Sequence, residues 1–333
     1  MSKTNIEADI LESNIPEDIL EVLLKDHTTS TKDVQHNIFW ATQDYEELGK
    51  GYGDRDEITC KSVSNNRIII PRVLKSKMQQ SSRSKDMAEV FTPSWICNAQ
   101  NNLIDEAWFG RKDVFNKEIV SNKGKHSWST TTDMIIFPQG KTWKDYVREN
   151  RLEISCGEAP YLVSRYDATT GDAIPIEQRI GLLDRKLRIV GENTETTSDW
   201  LEAAQDAYKS TYGYEWQGDN LLLAREALLF SFSDYYRHKF GKEPLKASIK
   251  YIAYIISWNL WQMDGLKGVV PNSCIEQKEV SLFGDTTVTP CKGCQEEGFA
   301  YHTGKYCLVK DWRAKDPDTK KLGRKYRFID LLK

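Results

Sequence analysis

No apolar run in this sequence approaches the roughly 20 residues that a helix needs to cross a bilayer, which excludes a membrane-spanning helix. The opening stretch MSKTNIEADILESNIP has no basic-then-apolar signal region. The expected location is therefore the cytoplasm, with no membrane partner. Charge of one sign is also scarce, with a formal net charge of −3. A protein that grips DNA unaided usually carries a strong basic excess, because phosphate neutralisation drives affinity. Any DNA contact here must sit on a local patch or be carried by another subunit. No internal repeat is present, which excludes repeat architectures. No nuclease motif stands out either, and the spacing of acidic residues such as Glu177 and Asp184 demands none.

What the chain does have points to a packed interior. Its 333 residues suffice for one large domain or two modest ones. Ten tryptophans and fifteen tyrosines argue against disorder. Seven cysteines in a reducing compartment are expected to bind metal or to be buried rather than to form disulfides.

Residues 1–86 read as a helical or mixed cap, with an amphipathic stretch at Ile19–Leu24 and an apolar run at Ile68–Ile70. The basic, serine-rich stretch 74–86 reads as a linker or an exposed basic helix. From Met87 to about Val270, short strand-like runs alternate with helical periods. Leu152–Ser155 and Thr211–Glu215 suit strands. Leu221, Ala224, Leu228, Phe232 and Tyr235 recur at the three- and four-residue spacing of one helix face. A second helix over about Leu245–Ile256 runs into strand-like Asn259–Met263. This alternation predicts a doubly wound α/β sheet, with ligands at the carboxyl ends of the strands. Residues 271–333 form a third region, loop-rich and then basic.

Four segments carry candidate chemistry. In Leu152–Leu162, LEISCGEAPYL, a strand ends in a small-residue turn. Gly157 there permits positive φ and close approach of a ligand; an ordinary strand-to-helix turn explains it equally. In Thr211–Glu215 an acidic side chain ends a strand, where it can accept both hydroxyls of a ribose. Asp264 lies just past the third strand, where a carboxylate can accept from an adenine amino group or simply shape the turn before Gly265. In Glu89–Asn98, Thr92 and Pro93 start a helix, with Thr92 as its N-cap and Pro93 in the first turn.

Taken together and in order, these segments resemble the adenine-specific DNA methyltransferases of restriction–modification systems. Phe91-Thr92-Pro93 matches that family's F-x-TP-type motif. Glu153 to Leu162 matches its glycine-rich first-strand motif. Tyr212-Gly213-Tyr214-Glu215 with Leu223-Ala224-Arg225-Glu226-Ala227-Leu228 matches the second motif, and Asn259 to Leu266 the third. The resemblance covers about Met87 to Leu266 and implies a Rossmann-like methyltransferase fold that binds S-adenosylmethionine. By that resemblance Phe91, Thr92 and Pro93, with Glu153, Cys156 and Gly157, contact the methionine part. Glu215 holds the ribose and Asp264 reads the adenine.

The departures carry weight. Ala159 stands where the family prefers a second glycine, and Glu158 adds negative charge. The family's catalytic tetrapeptide, Asn/Asp-Pro-Pro-Tyr/Phe, is absent from the 333 residues. Its oxygens accept hydrogen bonds from the amino group of a flipped adenine, and each such group is worth a few kcal/mol in a transition state. A partner subunit would then complete the site, or the chain is a non-catalytic scaffold that binds DNA or a partner.

The last region holds Cys274, Cys291, Cys294, His302 and Cys307. Cys291-Lys292-Gly293-Cys294 is a C-x-x-C knuckle, and a tetrahedral structural zinc is the expected occupant; free loop thiols are the alternative. A zinc-stabilised interaction module is a third reading of the whole chain. Beyond the cluster, Lys310–Phe328 interleaves basic residues with Trp312, Tyr326 and Phe328, a pattern suited to phosphate neutralisation and base stacking, or to a solvated hairpin.

Overall fold

The computed structural model describes residues 11–64, 68–86, 92–280, 286–296, 298 and 301–332. Phe91 and the first ten residues of the N-terminal arm lie outside the described residues. The chain is mixed α/β with a parallel sheet. In its first part, Glu17–Leu24 forms α1, Lys77–Asp86 forms α2 and Ser94–Phe109 forms α3. Pro93, not Thr92, is the N-cap of α3. The cap is supplied from afar: Asp167 accepts from the Ser94 N–H at 2.8 Å, satisfying a donor that the helix start leaves free.

The sheet has three strands in chain order. These are β1 (Arg151–Glu153), β2 (Thr211–Glu215) and β3 (Leu260–Gln262), each parallel to the next. Between β1 and β2 run α4 (Leu182–Asn193) and α5 (Thr197–Lys209). Between β2 and β3 run α6 (Gly218–Phe240) and α7 (Lys246–Asn259). Both crossovers move the chain in the same direction across the sheet. Right-handed connections therefore put all four helices on one face, and the four pack on one another. Strand order does not reverse among the described residues, so the doubly wound sheet expected from the sequence is present only as a parallel sheet of these three strands.

The stripe at Leu221, Ala224, Leu228, Phe232 and Tyr235 is buried along α6, as its spacing requires. Burying one such side chain is worth about 1.5–3 kcal/mol. Gly241, at φ +64°, ends the helix in the left-handed conformation that glycine adopts without strain. The N-terminal part belongs to the same core: Ile19, Leu20, Leu23 and Leu24 pack with residues of α6 and α7. Arg225 ties them together. Its buried guanidinium donates to the carbonyls of Leu23, Lys25, Ser257 and Leu260.

The other face of the sheet is covered by a hairpin of β4 (Leu308–Lys315) and β5 (Leu322–Arg327). Tyr214 and Trp261, side by side on β2 and β3, meet the Phe328 ring at 5.8 and 5.6 Å between centroids. Trp312 and Phe328 are buried in this cover, so of the three interleaved aromatics only Tyr326 keeps a partly exposed ring. Among the described residues, no helix is long and apolar enough to cross a membrane.

Candidate functional site

Two polar sites stand out, one at the carboxyl end of the sheet and one in the cysteine-rich segment. At the sheet end the turn after β1 is built from unusual backbone. Ser155, Gly157 and Ala159 have φ of +47°, +54° and +59°. Only glycine takes this conformation freely, so the other two are held there by their surroundings. The turn brings the Gly157 N–H to Glu215 Oε2 at 2.8 Å, while Gln217 N–H donates to Oε1 at 3.2 Å. Burial pushes the Glu215 carboxyl above its usual value against these backbone bonds. The Trp216 N–H also bonds this carboxylate, so three backbone donors leave one of its four lone-pair sites to offer a hydroxyl.

Glu153, at the end of β1, is also buried. Its Oε1 accepts from Tyr161 N–H at 3.3 Å; its Oε2 has no partner. Burial pushes this carboxyl well above the usual range, and neighbouring Glu215 adds to the rise. Tyr161 also hydrogen-bonds Thr92, and the buried Cys97 thiol donates to the Thr92 carbonyl at 3.7 Å, so the start of α3 lies against this turn. Cys156 points the other way, into the core, where a Cβ on Gly213 would stand 3.3 Å from its sulfur. Glu158 is buried and spoken for: it accepts from Arg72 N–H at 2.6 Å and from the Tyr166 hydroxyl.

Asp264 is buried but committed to its own turn. Its Oδ1 accepts from Leu266 N–H at 3.0 Å and its Oδ2 lies 3.4 Å from Lys267 Nζ. Over the ends of β2 and β3 lies the N-terminal segment. Gln262 accepts from Phe39 N–H at 3.0 Å and donates to the carbonyls of Phe39 and Trp216, both at 2.8 Å; Gly218 N–H donates to the Trp40 carbonyl at 3.0 Å. The glycine is required at 218, since a Cβ there would sit 2.1 Å from the Phe39 carbonyl oxygen. The N-terminal segment therefore does not reach the side of β1 and β2, where Gly157 is half-buried and Glu153 and Glu215 are buried.

A network that the sequence did not suggest braces this end. Asp219, in the first turn of α6, is fully buried. Arg83 grips it through two nitrogens at 2.8 and 3.1 Å, and Lys75 and the Tyr45 hydroxyl reach it at 3.3 and 2.8 Å. Burial alone would push Asp219 up, but Lys75 and Arg83 outweigh it and hold the carboxyl well below its usual value. The basic stretch 74–86 is thus a helix whose Arg83 is buried, not a solvated linker.

In the second site, ligand atoms of Cys274, Cys291, Cys294 and His302 lie within 4.8 Å of one another. The three sulfurs stand 3.6, 3.6 and 3.7 Å from one atom, His302 Nδ1. A single nitrogen lone pair cannot accept from three thiols. A tetrahedral ion with metal–sulfur and metal–nitrogen bonds of about 2.3 and 2.05 Å would space these atoms by about 3.6 Å. His302 Nε2 bonds the Gly298 carbonyl. A carbonyl only accepts, so the proton sits on Nε2 and Nδ1 is left bare for a metal. Burial pushes the Cys291 thiol up, but hydrogen bonds from Thr303 and from the Cys294 N–H and the contact with His302 outweigh it and bring it to about 5. Cys274, by burial and the two neighbouring thiols, is pushed up to about 12. Gly304 is needed here, because a Cβ would meet Cys274 Sγ at 2.9 Å.

Cys307 is the correction to the expected ligand set. It is buried in the sheet cover beside Tyr214 and Trp261, and its thiol donates to the Gln262 carbonyl at 3.3 Å. Its strand has already turned from the knuckle to the sheet. The two sites are nonetheless joined. Asp264 bridges Val269, Val269 bridges Tyr306, and the Tyr306 hydroxyl accepts from the His302 N–H at 2.9 Å.

No family model matches this chain, and no match is found among curated proteins or solved structures.

Proposed function

We propose that this chain is the S-adenosylmethionine-binding subunit of a cytoplasmic adenine-specific DNA methyltransferase belonging to a restriction–modification system. The observation that carries the reading is the meeting of Glu215 with Gly157 across the ends of β1 and β2. An acidic strand end beside a glycine turn is the arrangement by which α/β folds take a nucleoside, and three parallel strands in consecutive order are one half of a doubly wound sheet. The residues fit the cofactor on two counts. Glu215 keeps a lone pair for a ribose hydroxyl, and the unpartnered Oε2 of Glu153 suits the methionine end as an acceptor. When bound, S-adenosylmethionine supplies an electrophilic methyl group. The chain's part is to hold it: Glu215 and Gly157 orient the ribose, and Glu153 offers its unpartnered oxygen as a hydrogen-bond acceptor. Asp264, already bonded within its turn, shapes the adenine side through backbone.

The four-residue cluster of Cys274, Cys291, Cys294 and His302 is read as a structural zinc site, since four protein ligands leave no open position for chemistry. DNA is the proposed macromolecular partner. Its phosphates would meet the exposed Arg313, Lys315, Lys320, Lys321 and Lys325 of the C-terminal hairpin, while most of the duplex would be held by the partner subunit.

Titration calorimetry with S-adenosylmethionine tests the reading. Micromolar binding is expected, weakened about ten- to a hundredfold in Glu215→Ala, since hydrogen bonds to a charged group are worth about 1.5–3 kcal/mol. Absence of binding by folded protein would favour the scaffold reading. That reading already has the missing tetrapeptide and the Phe39–Trp40 segment across the ends of β2 and β3 on its side.

A further inference from the structure

We propose that the cleft between α4, α6 and the hairpin of Asn116–Val120 and His126–Thr130 binds a small organic anion, one with a flat apolar body and a single carboxylate or phosphate group. The proposal does not rest on the methyltransferase reading. Tyr235, in the wall of the cleft, lies about 26 Å along α6 from Gly218, at about 1.5 Å per residue, so the cleft is well away from the end of the sheet.

The cleft has the volume and the walls of a ligand site. Its volume is about 840 Å³, within the range of pockets that take small molecules. Leu187 of α4 and Tyr235 of α6 are buried in its wall. On the hairpin side Trp128 is half-buried and Ile119 is 44 % exposed. The Trp128 indole N–H donates to the Gln178 carbonyl at 2.9 Å, which holds the hairpin across the cleft to the segment before α4. Gly191 lies within α4, where glycine costs stability relative to alanine. It lines the cleft, and a Cβ built on it would meet nothing within 4 Å.

The charges select an anion. Arg179 and Lys239 both line the cleft. The Arg179 guanidinium stands 5.8 Å from the centre of the Tyr235 ring, and Lys239 follows Tyr235 by one turn on the same face of α6. Lys239 donates to the Gly191 carbonyl at 2.9 Å and meets no carboxylate among the described residues. The Arg179 side chain is only 8 % exposed. It shares Asp234 Oδ2 with Arg165, at 2.8 and 3.0 Å, and its Nε and Nη1 have no partner.

None of the carboxylates lining the cleft hydrogen-bonds either cation. Glu192 accepts from Arg188 at 2.7 Å and from the Ile135 N–H at 3.0 Å. Glu177 faces His238 at 3.7 Å on the exposed side. Asp184 supports Arg179 only through space, while its Oδ2 accepts from Ser164 and from the Gly181 N–H. An anionic group beside Arg179 and Lys239 would bring the charged acceptor that they lack. The apolar body would then lie against Trp128 and Ile119 and cover surface that the fold leaves partly bare.

The test is equilibrium dialysis of the full-length, metal-replete chain against three probes that share one ring system: naphthoate, naphthyl phosphate and neutral naphthalenemethanol. The expected result is saturable binding of one anion per chain, at least tenfold tighter than the neutral alcohol. The tighter of the two anions tells carboxylate from phosphate. Lys239→Gln should weaken the anion about tenfold and leave the alcohol unchanged, which loss of packing alone would not do. Gly191→Phe fills the open space from a helical position that favours a side chain over glycine, so it should abolish binding with no fall in melting temperature. Equal binding of all three probes, no binding at millimolar concentration by folded protein, or binding that survives Gly191→Phe would overturn the proposal.

Discussion

At the cysteine–histidine cluster each ligand atom faces the same small volume, and the supporting bonds from Gly298 and Thr303 are already made. At the sheet end Glu153 and Glu215 are both buried, more deeply than the exposed Cys294 and half-buried Cys274, yet Glu153 Oε2 is left without a partner and the β1 edge beside it pairs with no strand among the described residues. The first site is assembled within one short stretch of chain. The second draws on α3, two strands, a long insertion and the N-terminal segment. The difference teaches that a closed cluster needs only its ion, whereas the sheet end is built to receive something larger.

The largest expected effect separates the two sites by removing metal. One zinc per chain is expected by elemental analysis, retained in Cys307→Ser and lost in Cys291→Ser. Structural zinc contributes on the order of 10 kcal/mol to the segment it folds. Chelation should therefore release hydrogen-exchange protection over 264–307 while α6 and α7 keep theirs. Loss of protection throughout would mean that the cluster holds the whole fold.

The brace beneath the sheet end comes next. Asp219→Asn leaves the buried Lys75 ammonium without its carboxylate and Arg83 with Asp44 as its remaining carboxylate, and breaking such a buried pair costs about 3–5 kcal/mol. Denaturant unfolding should report that loss, with metal content unchanged.

A smaller effect depends on pH. Glu153 holds its proton to higher pH in the folded chain than in the unfolded one. Its contribution is thus fullest below the unfolded value and is lost as pH rises toward the folded one. Glu153→Gln removes this loss. The variant's unfolding free energy should gain on the parent's as pH is raised from 5 to 8, by at most about 1.4 kcal/mol per pH unit, as read by denaturant titration. A constant difference across that range would mean that Glu153 is charged in the folded protein.

Much of the local structure was legible in the sequence. Thr211–Glu215 forms the expected strand, the α6 stripe is buried, and the C-x-x-C spacing marks two ligands of the cluster, because each depends on neighbours within one turn or strand. What was not legible depends on distance along the chain. Asp219 and Arg83 meet across 136 residues, Phe39 and Gln262 across 223. Asp167 caps a helix 73 residues away, and nothing in its own neighbourhood marks it for that. Cys307 was grouped with the other cysteines by proximity in sequence, but the strand it begins belongs to the sheet cover. The charged helix at 77–86 read as solvated because composition does not reveal which single arginine finds a buried carboxylate.

The most direct test of the account is hydrogen exchange with and without S-adenosylmethionine on metal-replete protein. The account predicts new protection over 153–162 and 211–218, with the cysteine-rich segment unchanged. No new protection in either stretch, or protection confined to 274–307, would contradict a cofactor site at the end of the sheet.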